Sequence, residues 1–392
     1  MNGQELRDVT MDEDIDGFDN SEEAGSHSGT IKPWDPGKIR ITTKTFTLRE
    51  IVGQIDDGDI DLSPDFQREY VWKARQRTRL IESILLGIPL PAFYFNQSEA
   101  GTYQVVDGVQ RLSTIAAFMK DEHRLSSEDL EYLSDLDQLT YGELDTASIR
   151  RFRSTQIVVH VIEPQTPDEV KYDIFNRVNT LGSPLSAQEI RHAMSGPRSR
   201  TFIGQLAESE VFDAATQMQY WKRNAEGNMV RDSGRMANRE LALRFCAFRH
   251  STIDQYRQFP SLDAFLMNFS KRIDKTAEPA IGDYELAALA SAFEGAMVAA
   301  AKIMGQAAFR RWPRSSDRRG PINRAVFEAQ ANALADFSLA EMLPHTDQIV
   351  EAFRTAFDES EYLRAVTVST GDANKVAFRL DRTRKILADA MK

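Results

Sequence analysis

Asp107, Gly108, Gln110 and Arg111 fall where the strand-like run Tyr103–Val106 gives way to a helical pattern. Glycine permits a positive φ and a close backbone approach. A helix that opens just behind it presents backbone N–H groups with no partner of their own, a setting that suits an anion, typically a phosphate. Ser113 and Thr114 lie in the first turns of that helix. Arg111 adds a planar fork of donors. Asp107 is placed to hold a divalent metal on the phosphate, or to orient a water. A strand–Asp–Gly–helix string also serves as a plain turn, so this segment by itself leaves both readings open.

Two more segments carry chemistry. Ser63–Trp72 combines Tyr70 and Trp72 with Gln67 and Arg68. Arginine and glutamine read base edges, and aromatics stack on bases. The alternative is a loop that packs its aromatics on a sheet. Phe175–Arg191 ends one helix and opens another across Gly182-Ser183-Pro184. Ser186 and Glu189 have the spacing of a capping box, which accounts for Glu189 without any ligand. Asn176, Arg177 and Asn179 have no such explanation.

The elements that position these residues are legible in outline. Ile39–Phe46 reads as a strand, and Thr47 with Glu50 caps a helix carrying Leu48, Ile51, Val52 and Ile55. Gln76–Leu86 is a second helix, ended by Gly87 and Pro89. Ala92–Phe95, Tyr103–Val106 and Gln156–Ile162 read as strands, and Gln110–Met119 as a helix. After about residue 166 helical patterns take over, which puts a domain boundary near 165.

Composition narrows the classes. The chain has 392 residues, 42% hydrophobic and 27% charged, ordinary for a globular protein with a full core. Its one cysteine, Cys246, excludes an internal disulfide framework and a Cys-based zinc site. Residues 1–30 carry −8 of the net −11, so the other 362 residues hold only −3 and a basic surface is compatible with the acidic total. Residues 1–35 read as a disordered acidic tail. No apolar run approaches the ~20 residues of a membrane helix, and no signal peptide is visible. A cytoplasmic location is expected. Residues 310–324 hold Arg310, Arg311, Arg314, Arg318, Arg319 and Arg324 around Trp312, against Asp317. Such a cluster suits phosphate backbone and base stacking, or else a solvated loop of ion pairs.

Taken together, the segments resemble one family, the N-terminal domain of GmrSD-type, modification-dependent restriction enzymes, with its ParB/sulfiredoxin-like fold. The shared strings are Pro64-x-Phe66-Gln67-Arg68-x-Tyr70-Val71-Trp72, Leu80-Ile81-Glu82-Ser83-Ile84-Leu85-x-Gly87-Ile88-Pro89 and Val105-Val106-Asp107-Gly108-Val109-Gln110-Arg111-Leu112. Phe175-x-Arg177-Val178-Asn179 with Gly182, Leu185, Glu189 and Ile190 completes the set. The resemblance implies a nucleotide pocket that handles an NTP with a divalent metal, Mg being the expected ion. In it Asp107 handles metal or water, Gly108 the phosphate approach, and Gln110 and Arg111 the phosphate. Gln67 and Arg68 face the same pocket, and Asn179 and Glu189 close its other wall. Val109 replaces the family's first glutamine. If its side chain points into the core the change is silent; if it lines the pocket, turnover suffers. None of the six histidines fits an HNH-type motif, so the chain resembles the sensor half without the cutter. Sulfiredoxin-type repair is excluded, because that loop has Gln110 where a cysteine nucleophile is needed.

The expectation is therefore an α+β protein: a tail over 1–35, a small mixed sheet with helices over 36–165, and an all-helical region over 166–392. It would bind and hydrolyse an NTP with Mg while sensing DNA, modified or not, through Tyr70, Trp72, Arg310, Arg311, Arg314, Arg318 and Arg319. The alternatives are a non-catalytic DNA-binding adaptor, or a DNA nuclease using the same site. A separately encoded nuclease or ATPase is an expected partner, and no membrane is.

Overall fold

The computed structural model describes residues 36–62, 72–178, 186–224, 227–232 and 235–392. The acidic tail, Gln67, Arg68, Tyr70 and Asn179 lie outside the described residues. The protein is α+β: a five-stranded mixed sheet with helices comes first, and a mostly helical region follows. It divides into two compact units, Lys32–Met194 and Ser195–Lys392.

In the first unit, β1 (Ile41–Thr47), β2 (Ile60–Asp61), β3 (Phe93–Gln97), β4 (Tyr103–Asp107) and β5 (Gln156–Ile162) form a sheet in the order β1-β5-β3-β4-β2. β5 runs antiparallel to β1 and parallel to β3, and β4 runs antiparallel to β3 and parallel to β2. Period-two alternation divides the side chains between its faces. Phe93, Phe95, Val105, Ile157, Val159 and Val161 pack with α1 (Leu48–Asp56), α2 (Ala74–Leu86), α3 (Val109–Met119) and α4 (Thr146–Ser154). On the other face Val106 and Ile162 form a small cluster with Phe175 of α5 (Asp168–Val178) and Ile190 of α6 (Ala187–Ala193). That cluster carries the first unit about 30 residues past the last strand of its sheet.

Local chemistry sets the element ends. Thr47 and Glu50 form the expected capping box, and Gly87 ends α2 at φ 78°. Glu82, on α2, does something less local. Its carboxylate accepts the backbone N–H groups of Glu131, Tyr132 and Leu133 at 2.9, 2.7 and 2.9 Å, which pins that loop to the helix. Burial works to raise its pKa, but the three N–H groups and the Arg79 charge outweigh it and hold the carboxyl below its ordinary value. Its contribution is therefore present above the unfolded-chain value of about 4.3 and is lost as pH falls through the depressed folded value. Glu82→Gln should cost about 2 kcal/mol at neutral pH, since the amide cannot serve three donors and turns its own N–H groups toward them. Urea titration at pH 7 and pH 3 checks this: the gap between variant and parent should shrink at the lower pH.

The second unit is helical, with one departure from the expected absence of strands past residue 166. β6 (Trp221–Arg223) and β7 (Met229–Arg231) pair antiparallel. Each is only three residues long, too short for alternation to register in the sequence. Cys246 is fully buried in this core, and burial pushes its thiol pKa up. The helix Asp283–Ala307, with an 18-residue stretch of mean hydropathy 1.5, is long and apolar enough to cross a membrane by length and composition. Asp283, Glu285, Glu294 and Lys302 interrupt it in the sequence, so no unbroken apolar run is visible. Leu286, Leu289, Phe293, Met297 and Ile303 place one side of it in the core.

Candidate functional site

The corner between β4 and α3 brings four of the expected residues together. β4 ends at Asp107, Gly108 takes φ 101°, and α3 starts at Val109. The glycine is required twice over. Its φ lies in the left-handed region, and a Cβ there would sit 2.2 Å from Cδ1 of Phe93, a fully buried ring. One turn into α3, the Arg111 guanidinium lies 4.1 Å over that same ring. Its Nη2 donates to Asp107 Oδ2 at 2.7 Å and to Ala92 O at 3.3 Å, and its Nη1 donates to Pro91 O at 2.5 Å. Nε–H and one Nη1 proton remain outside these bonds.

Burial raises the Asp107 carboxyl above its ordinary value, against the opposing pull of Arg111 and the Gly108 N–H. Burial likewise lowers Arg111, opposed by Asp107, but a guanidinium stays charged through such a shift. Gln110 brings a second polar feature. Its Oε1 is buried and has no hydrogen-bond partner among the described residues. An acceptor so placed calls for a donor, such as a water proton or a ligand N–H, rather than a bare phosphate oxygen.

Residues 48–195 match the family of the GmrSD restriction endonuclease, N-terminal domain. This segment is a GmrSD-type N-terminal domain. The match ends where the first compact unit ends, and it brings an association with restriction and defence systems. No curated protein matches the chain.

Within the GmrSD-type domain, Val109 is half-buried and packs against the core between the sheet and α1–α4. Ser113 is half-buried in the second turn of α3. Thr114 departs from the expected phosphate contact. It is fully buried, and its hydroxyl donates back to Gln110 O at 2.7 Å, the usual i−4 bond of a threonine inside a helix. Glu189 is 2% exposed and caps α6, with Ser186 N donating to its Oε2 at 2.6 Å and its own N donating to Ser186 Oγ at 3.1 Å. Its neighbour Ile190 shares a small apolar cluster with Val106, the residue preceding Asp107. Asn176 lies on α5, and Arg177 is exposed there. Trp72 is half-buried against the core of the first unit.

A resident metal does not fit these residues. Asp107 spends one oxygen on Arg111, and the described residues contain no group of three His, Cys, Asp or Glu side chains that could cage an ion. A magnesium ion carried in on phosphates needs only one or two protein carboxylates.

In the second unit the arginine cluster is partly spent on structure. Arg310 is 7% exposed, with Nη2 on Gln219 Oε1 at 3.0 Å. Trp312 donates its indole N–H to Ser316 O at 3.0 Å, and Arg354 lies 4.4 Å over its ring, so its expected role in base stacking is taken. Arg314 pairs with Glu351 at 2.8 Å. Arg311 is half-buried, and Arg318 and Arg319 are exposed. Two further arginines of this unit are likewise committed: Arg198 to Ile281 O at 2.9 Å and Asp283 at 2.5 Å, and Arg231 to both Asp213 oxygens at 2.6 Å. Composition did not reveal the partners of Arg111 at Pro91 and Ala92. The nearest signal was Pro89-x-Pro91, which marks a fixed loop with carbonyls free of a helix or strand.

Proposed function

We propose that the GmrSD-type domain binds a magnesium nucleoside triphosphate at the Asp107–Arg111 corner and hydrolyses it, as the DNA-sensing part of a cytoplasmic restriction or defence system. The observation that supports this best is the left-handed Gly108, which sets a half-buried carboxylate beside the first turn of α3. The N–H groups of that turn have no carbonyl partner within the helix and suit the terminal phosphate. Asp107, with its pKa raised, is a stronger base than a solvated aspartate and takes a proton from the attacking water. Gln110 Oε1 accepts the other proton of that water and orients it. A magnesium ion carried on the phosphates would supply neutralisation of their charge. Val109 packs on the core, so the absence of a glutamine side chain there leaves these roles untouched.

Phosphate release from the full chain, with four NTPs and magnesium, with and without DNA, tests the reading. Asp107→Ala should lower release by about 10²–10⁴-fold, the span of a general base. Undiminished hydrolysis in that variant removes the mechanism. One observation favours a second reading, a non-catalytic adaptor. The Arg111 fork is already engaged by Pro91, Ala92 and Asp107, and so acts as a clamp on the β3 entry. That reading expects no release from the parent protein while DNA still binds.

A further inference from the structure

Two arginines of the 310–320 loop are held together by neutral partners. Nη1 of Arg310 donates to Gly320 O at 3.3 Å, and Nη2 to Gln219 Oε1 at 3.0 Å. Arg319, beside Gly320 in the chain, is exposed, and its Nη1 donates to Gln217 Oε1 at 2.5 Å and Gln306 O at 3.4 Å. Gln217 is itself fixed, because its Nε2 donates to Gly305 O at 2.7 Å. Two glutamines two residues apart thus offer amide oxygens to two arginines, and the Gly320 carbonyl joins the pair. The described residues place no carboxylate on either guanidinium. Burying a cation without a counter-charge is costly, and elsewhere in this unit Arg244 and Arg379 are matched by Glu240 and Glu328. Burial, together with the Arg319 charge, lowers the pKa of Arg310.

The loop that carries them is braced. Gly320 N donates to Arg311 O at 2.8 Å, Arg310 bridges to Ile322, and Trp312 is closed onto Ser316 and Arg354. Arg318 is exposed beside Arg319.

We propose that Arg319, fixed by Gln217 and set beside the buried charge of Arg310, clamps a backbone phosphate of DNA, with Arg318 on the adjoining phosphate. Fixed guanidinium forks suit phosphate oxygens, and a pre-set geometry reduces the ordering cost of binding. With Trp312 engaged by its own loop, the clamp grips backbone and reads no base, so its contribution is independent of sequence. It deepens the DNA-sensing reading and rests on it for the identity of the polymer.

The test uses the full chain and a labelled DNA duplex, with anisotropy read from low to moderate salt. Arg319→Gln should weaken binding about fivefold on unrelated sequences and reduce the slope of log K against log salt by about 1. Arg319→Lys should recover part of the affinity, keeping the charge and losing the fork. Lys385→Gln removes an exposed charge paired with Asp381 and should change neither quantity. Arg319 is exposed, so melting of its variants should match the parent. Unchanged affinity and slope in Arg319→Gln overturns the clamp. So does a parent protein that binds no duplex, or displacement of duplex by micromolar NTP through Arg319, which would assign the arginines to a nucleotide. Phosphate release without DNA is independent of Arg319. Its absence in the parent therefore sinks the nucleotide reading and leaves the clamp standing.

Discussion

Glu328→Ala should destabilise the helical unit by about 3–5 kcal/mol, the cost of stranding buried charges. Glu328 and Arg379 are both 0% exposed. The Glu328 Oε1 atom accepts from Arg379 Nε at 2.8 Å and also from its Nη2, while Oε2 faces Arg244 Nη1 at 3.4 Å. Arg379 completes its bonds on the Thr370 carbonyl at 2.6 Å and the Ala365 carbonyl at 3.3 Å, and Arg244 on Glu240 at 2.7 Å. Alanine leaves these guanidinium groups in a site closed to water, with one carboxylate where two stood. Glu328→Gln keeps the shape and loses the charge, so it should fall between alanine and the parent. Denaturant unfolding followed by far-UV circular dichroism measures both. A loss below 1 kcal/mol for alanine would mean that the network relaxes or hydrates, and that the buried pair is not what organises this core.

Gly108→Ala should be nearly as damaging, and at the candidate site itself. Two costs add. A φ of 101° is strained for any L side chain, at about 1–2 kcal/mol. The new Cβ would also stand 2.2 Å from Phe93 Cδ1 and 2.7 Å from Cε1. That ring cannot yield easily, because it is fully buried on one side and lies under the Arg111 guanidinium on the other. Either α3 shifts away from β4 or the unit loses about 3 kcal/mol or more. In both cases the alignment of Asp107 with the first turn of α3 is lost, and phosphate release should drop at least as far as in Asp107→Ala. Gly87→Ala separates the two costs. Gly87 has φ 78° and nothing within 4 Å of its Cβ position, so only the backbone strain applies. It should lose about 1 kcal/mol and keep full phosphate release. Equal effects at the two glycines would remove the close-approach argument.

Local chemistry was legible in the residues. The Thr47–Glu50 and Ser186–Glu189 boxes, the left-handed end at Gly87 and the Asp107-Gly108 turn all stand as read, because their partners lie within three or four positions. The order of the sheet strands was not legible, since β5 enters between β1 and β3 from some 60 residues beyond β3. Phe175 and Ile190 were visible as family positions. Their place in one cluster with Val106, which joins the fourth motif to the third, depends on two helices folding over the far face of the sheet.

Sequence by itself thus determined the α+β class, the family of the first unit, and a corner where carboxylate, glycine and guanidinium meet. Tertiary structure alone decided how each polar group is used. An arginine fork can bond a carbonyl, a carboxylate or a phosphate, so its type states what it can do and its neighbours state what it does. Arg111 closes on Pro91 and Ala92, Thr114 on its own helix, and Trp312 on its own loop. Arg310 and Arg319 are brought onto two glutamines about 90 and 100 residues away. Such pairings follow from which surfaces the core buries, and burial is a property of the whole chain rather than of any window along it.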